Sequence, residues 1–191
     1  MENLGNKSIV LMGLKHCGKS THGRLLAQKW GFSFFDTDEV MEQLCGMTVR
    51  ALYEKNGVVD FMRVEEEACC KIMSENEGKT FVISTGGGIC DNAPALNVLR
   101  ACQRFVFLKV DLKVCIARIM DAITQPFPGI FKNVPSYVPE ECTGSLESIR
   151  KFLTERFAER YARYENICDT IVEIKNAPVE ENFKLLLGAL S

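Results

Sequence analysis

The stretch that decides the fold is residues 8–31, which read SIVLMGLKHCGKSTHGRLLAQKWG. Residues 9–12 form a short continuous apolar run, which is typical of a buried strand in a parallel sheet. Residues 13–20, GLKHCGKS, fit the pattern G-x-x-x-x-G-K-[ST], and a helical pattern follows them and stops at Gly31. The order strand, glycine-rich loop and helix predicts a loop that binds phosphate groups.

A loop of this kind binds anions mainly through its backbone. Gly13 and Gly18 let successive N–H groups converge on one point, and the N-terminus of the next helix adds partial positive charge. Lys19 supplies a full positive charge, and the Ser20 hydroxyl is placed to bind the Mg²⁺ that bridges two phosphates. A chance match in a glycine-containing turn is the alternative, but both flanks have the required pattern. We therefore predict a site for ATP and Mg²⁺ formed by Gly13, Leu14, Lys15, His16, Cys17, Gly18, Lys19, Ser20 and Thr21.

Composition limits the class of protein. With 191 residues, of which 47% are hydrophobic, the chain can bury the core of one domain, residues 1–191. The 23 basic and 25 acidic residues nearly cancel, so no overall field favours nucleic acid or an anionic membrane. No apolar run approaches the length of a membrane span, and the N-terminus lacks a signal peptide's apolar stretch. We expect a cytoplasmic monomer whose partner is a small molecule.

The nine cysteines require a check against metal sites and disulfides. They form no C-x-x-C pair, and the two histidines, His16 and His22, lie in or beside the phosphate loop, so we expect no structural zinc site. The odd number favours reduced thiols that act as small hydrophobic side chains. Cys17 has two interpretations: a small filler, or a thiolate stabilised by the loop whose oxidation blocks ATP binding.

Two carboxylates follow the second predicted strand. The apolar run 32–35 reaches Asp36, and a helix starts at Thr37 or Asp38. The carboxyl end of a strand is where α/β enzymes place their chemistry. Asp36 has an alternative interpretation as a turn residue and Asp38 as a helix cap. Beside a triphosphate site, we favour roles for Asp36 with Mg²⁺ and for Asp38 with a hydroxyl nucleophile.

Strands and helices alternate through the rest of the chain. A short helix over 49–55 breaks at Gly57 before a second helix over 61–73, whose acids Glu65, Glu66 and Glu67 we assign to a solvated face. The strand over 81–83 ends in STGGG, and three consecutive glycines imply that another group approaches the backbone closely. The further predicted elements are a strand over 104–110, a helix over 114–120, a helix over 146–167, a strand over 170–174 and a helix over 180–190.

Between residues 122 and 146 the pattern fails, because four prolines and a glycine interrupt a segment that is too long for an ordinary connection. We interpret this segment as a mobile lid. The alternation of strands and helices elsewhere predicts an α/β protein with a parallel sheet covered on both faces.

Several motifs together resemble one family. They are GLKHCGKST in the loop, FFDTDEVMEQ after it, the pattern F-x-R-x-E-E at 61–66, TGGG at 85–88, and Arg160 with Tyr164 in ERYARYENICD. In this order and spacing they resemble the shikimate kinases, P-loop kinases of the nucleoside-monophosphate-kinase fold. The resemblance implies a three-layer α/β/α fold with a five-stranded parallel sheet, a substrate-binding region at about 37–76 and a lid at about 122–146. It also implies transfer of the ATP γ-phosphoryl group to the 3-hydroxyl of shikimate.

The resemblance also implies roles for single residues. Lys19 and Asp38 would be catalytic, with Asp38 holding and deprotonating the hydroxyl. Ser20 and, through water, Asp36 would serve Mg²⁺, and Arg118 would pack against adenine. Arg160 would bind the carboxylate of shikimate, and Glu65 would steady the arginines. The substrate-binding residues would be Asp38, Phe61, Glu65, Gly86, Gly87, Gly88 and Arg160.

Two positions depart from the family pattern. Met62 stands where the family has a second carboxylate-binding arginine, and the adjacent Arg63 points about 100° away on a helix, so it cannot simply replace it. Gln125 stands where the family has a lid arginine. The lid is longer than usual, so Lys132 could swing in, although its more ordinary interpretation is an exposed lysine.

These departures leave three functional hypotheses. The first is a shikimate kinase with a rebuilt lid. The second, favoured by Met62 and Gln125, is a kinase of the same fold that phosphorylates another small polyol or hydroxy acid. The third is a nucleotide-binding protein without catalysis, and the joint presence of Lys19, Ser20, Asp36 and Asp38 argues against it.

Overall fold

Parallel strands form the centre of the protein. The computed structural model describes residues 7–191, so the N-terminal residues 1–6, for which we predict no signal peptide, lie outside the described part. Five strands form one parallel sheet in the order β2-β3-β1-β4-β7, and two form a separate antiparallel pair. The strands are β1 (Ile9–Met12), β2 (Ser33–Asp36), β3 (Phe81–Ser84), β4 (Arg104–Val110), β5 (Thr124–Phe127), β6 (Ile130–Lys132) and β7 (Thr170–Ile174).

Helices connect the parallel strands, as crossover connections require. Within residues 7–191 they are α1 (Lys19–Trp30), α2 (Thr37–Cys45), α3 (Val49–Glu75), α4 (Ala93–Leu99), α5 (Leu112–Ala122), α6 (Leu146–Ile167) and α7 (Val179–Leu190). All four side chains of β1 are buried, and successive side chains of a strand point to opposite faces. The sheet is therefore covered on both faces, and the predicted P-loop α/β fold is confirmed.

The strand register brings the carboxyl ends of three strands to one edge of the sheet. Ser84 at the end of β3 pairs with Asp36 at the end of β2 and with Leu11 near the end of β1. The glycine-rich loop begins at Gly13, directly after Met12, the last residue of β1. This edge therefore carries the loop, Asp36 and the residues that follow Ser84.

Two predicted helix signals are confirmed by the backbone. Helix α1 ends at Gly31, which has a φ of 70° and donates its N–H to the Ala27 carbonyl. Gly57 interrupts α3 with a φ of 79° and a ψ of −177°, a combination that glycine adopts far more readily than other residues. The two halves of α3 therefore have different axes, as the sequence pattern predicts.

Two regions differ from the prediction. Helix α4 was not predicted, and Asn92 caps it by accepting the Ala95 N–H at 3.3 Å. The segment 122–146 is not irregular throughout, because β5 and β6 form an antiparallel hairpin around Gly129. Prolines are tolerated in β5 because a strand of an isolated pair has a free edge on which no N–H is needed.

The cysteines and the apolar character of the helices complete the description of the fold. All nine cysteines lie in the described part of the chain, where they form no disulfide and five of them are buried. Within residues 7–191 no helix combines the length and the apolar character needed to cross a membrane.

Candidate active site

A cavity of about 630 Å³ lies at the carboxyl edge of the sheet. The phosphate loop and the ends of β2 and β3 form its floor, while α3, α6 and the lid segment form its walls. The cavity brings together most of the predicted site residues, namely Lys15, His16, Lys19, Ser20, Asp36, Asp38, Phe61, Glu65, Gly86, Gly87, Gly88 and Arg160.

Lys19 holds its charge over the glycine-rich loop. Gly18 precedes α1 with a φ of 92°, which favours glycine, and it lets the loop turn into the helix. The Lys19 ammonium donates to the Leu14 carbonyl at 3.0 Å and is only 8% exposed. Cys17 lies 3.8 Å from the same ammonium and is buried, so the thiol packs beneath the loop. A fixed cation above a loop at a helix N-terminus suits a phosphate group.

Ser20, Asp36 and Ser84 form a small cluster of oxygen atoms beside the loop. The Ser20 hydroxyl donates to Asp36 Oδ2 at 2.6 Å and lies 3.3 Å from the Ser84 hydroxyl. Within residues 7–191 no cluster of three or more His, Cys, Asp or Glu side chains could hold a metal ion. Mg²⁺ at a nucleotide site, however, takes few protein ligands and the rest from phosphates and water, and it prefers hard oxygen donors. Ser20 and Asp36 therefore fit this metal.

Asp36, rather than Asp38, is the cap of helix α2. Asp36 Oδ1 accepts the Asp38 N–H at 3.1 Å, so the interpretation of Asp38 as a helix cap is wrong. The Asp38 carboxyl is free to face the cavity. Burial and the nearby Asp36 charge raise the pKa of Asp38 to about 6, against the opposing effect of Lys19 and Lys15. A carboxyl with such a pKa is suited to proton exchange near neutral pH.

The glycines after β3 approach their neighbours closely. The Gly86 N–H donates to the Thr37 hydroxyl at 3.0 Å. A Cβ atom on Gly87 would lie 2.7 Å from the Lys15 nitrogen, and one on Gly88 would lie 2.9 Å from an Arg160 guanidinium nitrogen. Side chains at these positions would collide with the phosphate loop and with α6. This close approach is the physical reason for the consecutive glycines.

Glu65 lies inside the protein, so its assignment to a solvated face is wrong. It is 1% exposed, and its Oε2 accepts from the Asn92 amide at 2.9 Å. Its Oε1 has no hydrogen-bond partner among residues 7–191, and burial raises the pKa of this carboxyl to about 7. Within residues 7–191 it forms no ion pair with an arginine. The predicted contact that would steady the arginines is therefore made by another acid.

That acid is Asp91, which sequence reasoning missed. Its Oδ2 accepts from Arg160 Nε at 2.9 Å and from Arg156 at 2.9 Å, and its Oδ1 accepts from Arg163 at 2.6 Å. Arg160 also donates to the Gly87 carbonyl at 3.1 Å, which ties the arginine to the glycine-rich turn. The spacing of the three arginines, i, i+4 and i+7, puts them on one helix face. This spacing is a signal for the three arginines, although not for Asp91 as their partner.

Met62 and Arg63 are placed as the helical geometry predicts. Met62 lines the cavity. Arg63 points outward, where it contacts Glu67 and lies 3.7 Å from Asp60. It therefore does not replace an arginine at position 62.

The lid segment 133–138, called here the strap, lies against both walls of the cavity. Arg50 donates to the Val134 carbonyl at 3.0 Å, and the Ser136 hydroxyl donates to Glu54 at 3.0 Å. The Tyr137 ring lies 5.3 Å from the Arg160 guanidinium carbon. The strap therefore connects the first half of α3 with the arginines of α6.

Some predicted residues lie outside the cavity wall. Arg118 donates to the His16 carbonyl at 2.6 Å on the outer side of the loop. Burial and the charges of Lys15, Lys19 and Arg118 lower the pKa of His16. Gly13, Leu14, Cys17 and Gly18 shape the loop from beneath, and Thr21 is exposed on α1. Gln125 and Lys132 are exposed on the hairpin.

Comparisons with known proteins agree with this geometry. The family model described as shikimate kinase matches residues 15–191. A shikimate kinase from Caldanaerobacter subterraneus subsp. tengcongensis is 30% identical over 175 residues, which is 92% of this chain and 91% of the relative.

Solved structures give the same result. The shikimate kinase from Acinetobacter baumannii, in complex with shikimate, has a TM-score of 0.75 and 25% identity, and the match covers 97% of this chain and 93% of that one. The shikimate kinase from Aquifex aeolicus has a TM-score of 0.67 and 30% identity over 96% of this chain and 95% of that one. An ATP-dependent kinase that phosphorylates an alcohol, the activity predicted from the motifs, is confirmed. This chain belongs to the shikimate kinase family.

Proposed function

We propose that this protein transfers the γ-phosphoryl group of ATP to the 3-hydroxyl of shikimate. The observation that carries this proposal is the single cavity in which the phosphate loop, the Asp38 carboxyl and the Arg160 guanidinium all face one space. A phosphoryl donor, an acceptor hydroxyl and an acceptor carboxylate can each meet a complementary group there. The likeness to a shikimate kinase that binds shikimate supports the choice of acceptor.

In the proposed reaction, Asp38 accepts the proton of the attacking hydroxyl. The hydroxyl oxygen forms a bond to the γ-phosphorus while the bond between that phosphorus and the β,γ-bridging oxygen breaks, and ADP leaves. Lys19 stabilises the negative charge on the phosphoryl oxygens. Ser20 and, through water, Asp36 would hold Mg²⁺, which would supply positive charge to the phosphate oxygens.

The acceptor is positioned by the opposite end of the cavity. Backbone groups of Gly86, Gly87 and Gly88 line the ring, and Phe61 and Glu65 complete the wall. Arg160 binds the carboxylate, since a guanidinium matches a carboxylate with two parallel hydrogen bonds. We assign acceptor binding to residues 37–76 and closure over the cavity to residues 122–146.

Coupled ADP release tests the acceptor. The purified protein is given Mg·ATP with shikimate, and in parallel with a panel of small polyols and hydroxy acids that differ in their carboxylate. Saturable ADP release with shikimate, together with a 3-phosphorylated product, supports the proposal. Because Met62 offers no charge at the place of the family's second arginine, a different hydroxy acid is the second candidate, and activity with it alone would replace shikimate. ATP binding without turnover of any acceptor would favour a non-catalytic nucleotide-binding protein.

A further inference from the structure

Arg156 lies one helical turn before Arg160 on α6 and shares its surroundings. Both arginines line the cavity, and both donate to the same Oδ2 atom of Asp91, at 2.9 Å from Arg156 and 2.8 Å from the second Arg160 nitrogen. Arg163 binds the other oxygen of Asp91 but is not part of the cavity wall. The two cavity-lining guanidinium groups therefore lie side by side at one oxygen.

The charges of this cluster do not balance. Asp91 supplies one buried negative charge, with 7% of its side chain exposed, to three guanidinium groups. Within residues 7–191 the other acid paired with these arginines is Glu159, at 3.5 Å from Arg156. That acid is 59% exposed, so solvent screens much of its effect. The guanidinium groups around Asp91 therefore keep positive charge that an anionic group of a ligand can neutralise, while the exposed Glu155 and Glu159 line the wall beside them.

Arg156 also has hydrogen-bond donors to spare. A guanidinium group carries five N–H donors, and Arg156 directs one nitrogen to Asp91 and another weakly to Glu159. Its side chain is 33% exposed, so it can adjust to a ligand, whereas Arg160 is 9% exposed and fixed by Asp91 and Gly87. Across the cavity, Met62 of α3 offers neither charge nor donors to a carboxylate.

We infer that Arg156 binds the acceptor's carboxylate together with Arg160 and thereby helps to determine specificity for acidic acceptors. Asp91 orients both guanidinium groups, so that they meet the carboxylate as a preformed pair. This inference rests on the proposed function, because it assigns a residue to the acceptor end of the same site.

Steady-state kinetics of matched variants test the inference. Arg156→Ala, and Arg156→Gln, which keeps a donor for Asp91, are expected to raise the KM for shikimate about tenfold or more and to leave the KM for ATP within about twofold. Arg163→Ala is the control, since it removes an equal charge from the same carboxylate outside the cavity. It is expected to change the KM for shikimate less than about threefold.

An acceptor analogue separates direct binding from a structural effect. In this analogue a hydroxymethyl group replaces the carboxylate, and the penalty of Arg156→Ala on kcat/KM is expected to fall to within about twofold, because no anion is left to bind. An equal penalty with both acceptors would overturn the inference, as would an unchanged KM for shikimate in both Arg156 variants. A wild-type protein without activity towards shikimate would instead refute the proposed function, so the two failures are distinguishable.

Discussion

Asp38 combines a position at the cavity with a raised pKa, and this gives a pH prediction. Because its pKa is about 6, the Asp38 carboxyl becomes protonated as the pH falls through 6, and it can then no longer accept a proton. We expect kcat/KM to drop about tenfold per pH unit below that value.

Asp38→Asn is expected to lower kcat by roughly 10²- to 10⁴-fold. The ATP affinity should stay within about twofold, because Asp36 caps α2 and the fold does not need Asp38.

Pre-steady-state phosphoryl transfer and ATP titration at several pH values measure these effects. A variant with wild-type kcat would show that another group accepts the proton. A pH profile that is flat between 5 and 7 would show that Asp38 is already ionised throughout this range in the complex.

The missing lid arginine leaves open which cation serves the transferred phosphoryl group. Lys15 lines the cavity, and its charge acts on Asp38, whereas Lys132 is exposed on β6 and does not line the cavity. We expect Lys15→Met to lower kcat by about tenfold or more and Lys132→Met to lower it by less than about threefold. Rapid-quench measurement of the transfer step compares them. The reverse order would show that the hairpin swings in during catalysis.

Residues that belong to a sequence motif could be predicted from the sequence. Residues whose role depends on contacts between distant parts of the chain could not. Lys19, Ser20, Asp36 and Asp38 follow from the loop pattern and the strand end. Asp91 could not be predicted, because its partners lie 65 to 72 residues away and meet it only when α6 packs beside the turn after Gly88. Glu65 was assigned to the solvated face because an acidic run looks solvent-exposed, although its spacing from Phe61, Ala68 and Cys69 places it on the apolar face of the helix.

Helix α3 gives a prediction at the scale of an element. Gly57 has a φ of 79° and a ψ of −177°, which residues with a Cβ avoid. We expect Gly57→Ala to lower the free energy of unfolding by roughly 1–3 kcal/mol. Gly188 provides a matched control, because it lies inside α7 with open space around its missing Cβ. Gly188→Ala is expected to raise the free energy of unfolding by about 0.5–1 kcal/mol.

Urea unfolding of both variants measures these differences. An unchanged midpoint for Gly57→Ala would mean that the two halves of α3 can join into one straight helix. Such a variant would also show whether the cavity wall that contains Phe61 and Met62 depends on the break.

Elements with a strong apolar period, a continuous apolar run or a glycine stop were predictable, and elements without such a signal were not. Strands β1, β3 and β4 are continuous apolar runs, and α1 has its stop at Gly31. Helix α4 has only seven residues and begins with Ala-Pro, so its few apolar positions give no clear period. The hairpin was not predicted because of Pro126 and Pro128: Pro126 is compatible with a strand because β5 has a free edge, and Pro128 lies in the turn before β6.

The whole molecule's stability should depend on pH through Glu65. Its pKa is about 7 in the folded protein against an ordinary value of 4.5 for a glutamate, so the folded state binds this proton more tightly. The contribution of Glu65 to the free energy of unfolding is therefore fully present below about pH 4.5 and is lost as the pH rises through 7. The loss in the free energy of unfolding is at most roughly 3.5 kcal/mol, at about 1.4 kcal/mol per pKa unit. Asp38, whose pKa is raised to about 6, acts in the same direction.

Glu65→Gln is expected to reduce this loss of stability between pH 5 and pH 8, because the amide stays neutral. Glu67→Gln, on the exposed side of the same helix, serves as the control and should keep the wild-type dependence. Urea unfolding at the two pH values compares them. An equal slope in the Glu65 variant and the wild type would show that water or another group relieves the burial of this carboxyl.

At the scale of the molecule, the order of strands and helices was enough to predict a covered parallel sheet and a phosphate site at its edge. The contact of the strap with both cavity walls was not predictable, since Arg50, Ser136 and Tyr137 belong to no motif. These contacts depend on how a long connection folds back, and many paths satisfy the same sequence pattern.

Asp36 joins the two halves of the site through its two oxygens, one on the Ser20 hydroxyl and one on the Asp38 N–H. A substitution that moves α2 in order to change acceptor specificity will therefore also move Asp36, and with it the Ser20 hydroxyl on the ATP side of the site. Changes of substrate are more easily made from α3 or α6, whose side chains can be exchanged while this shared carboxylate stays in place.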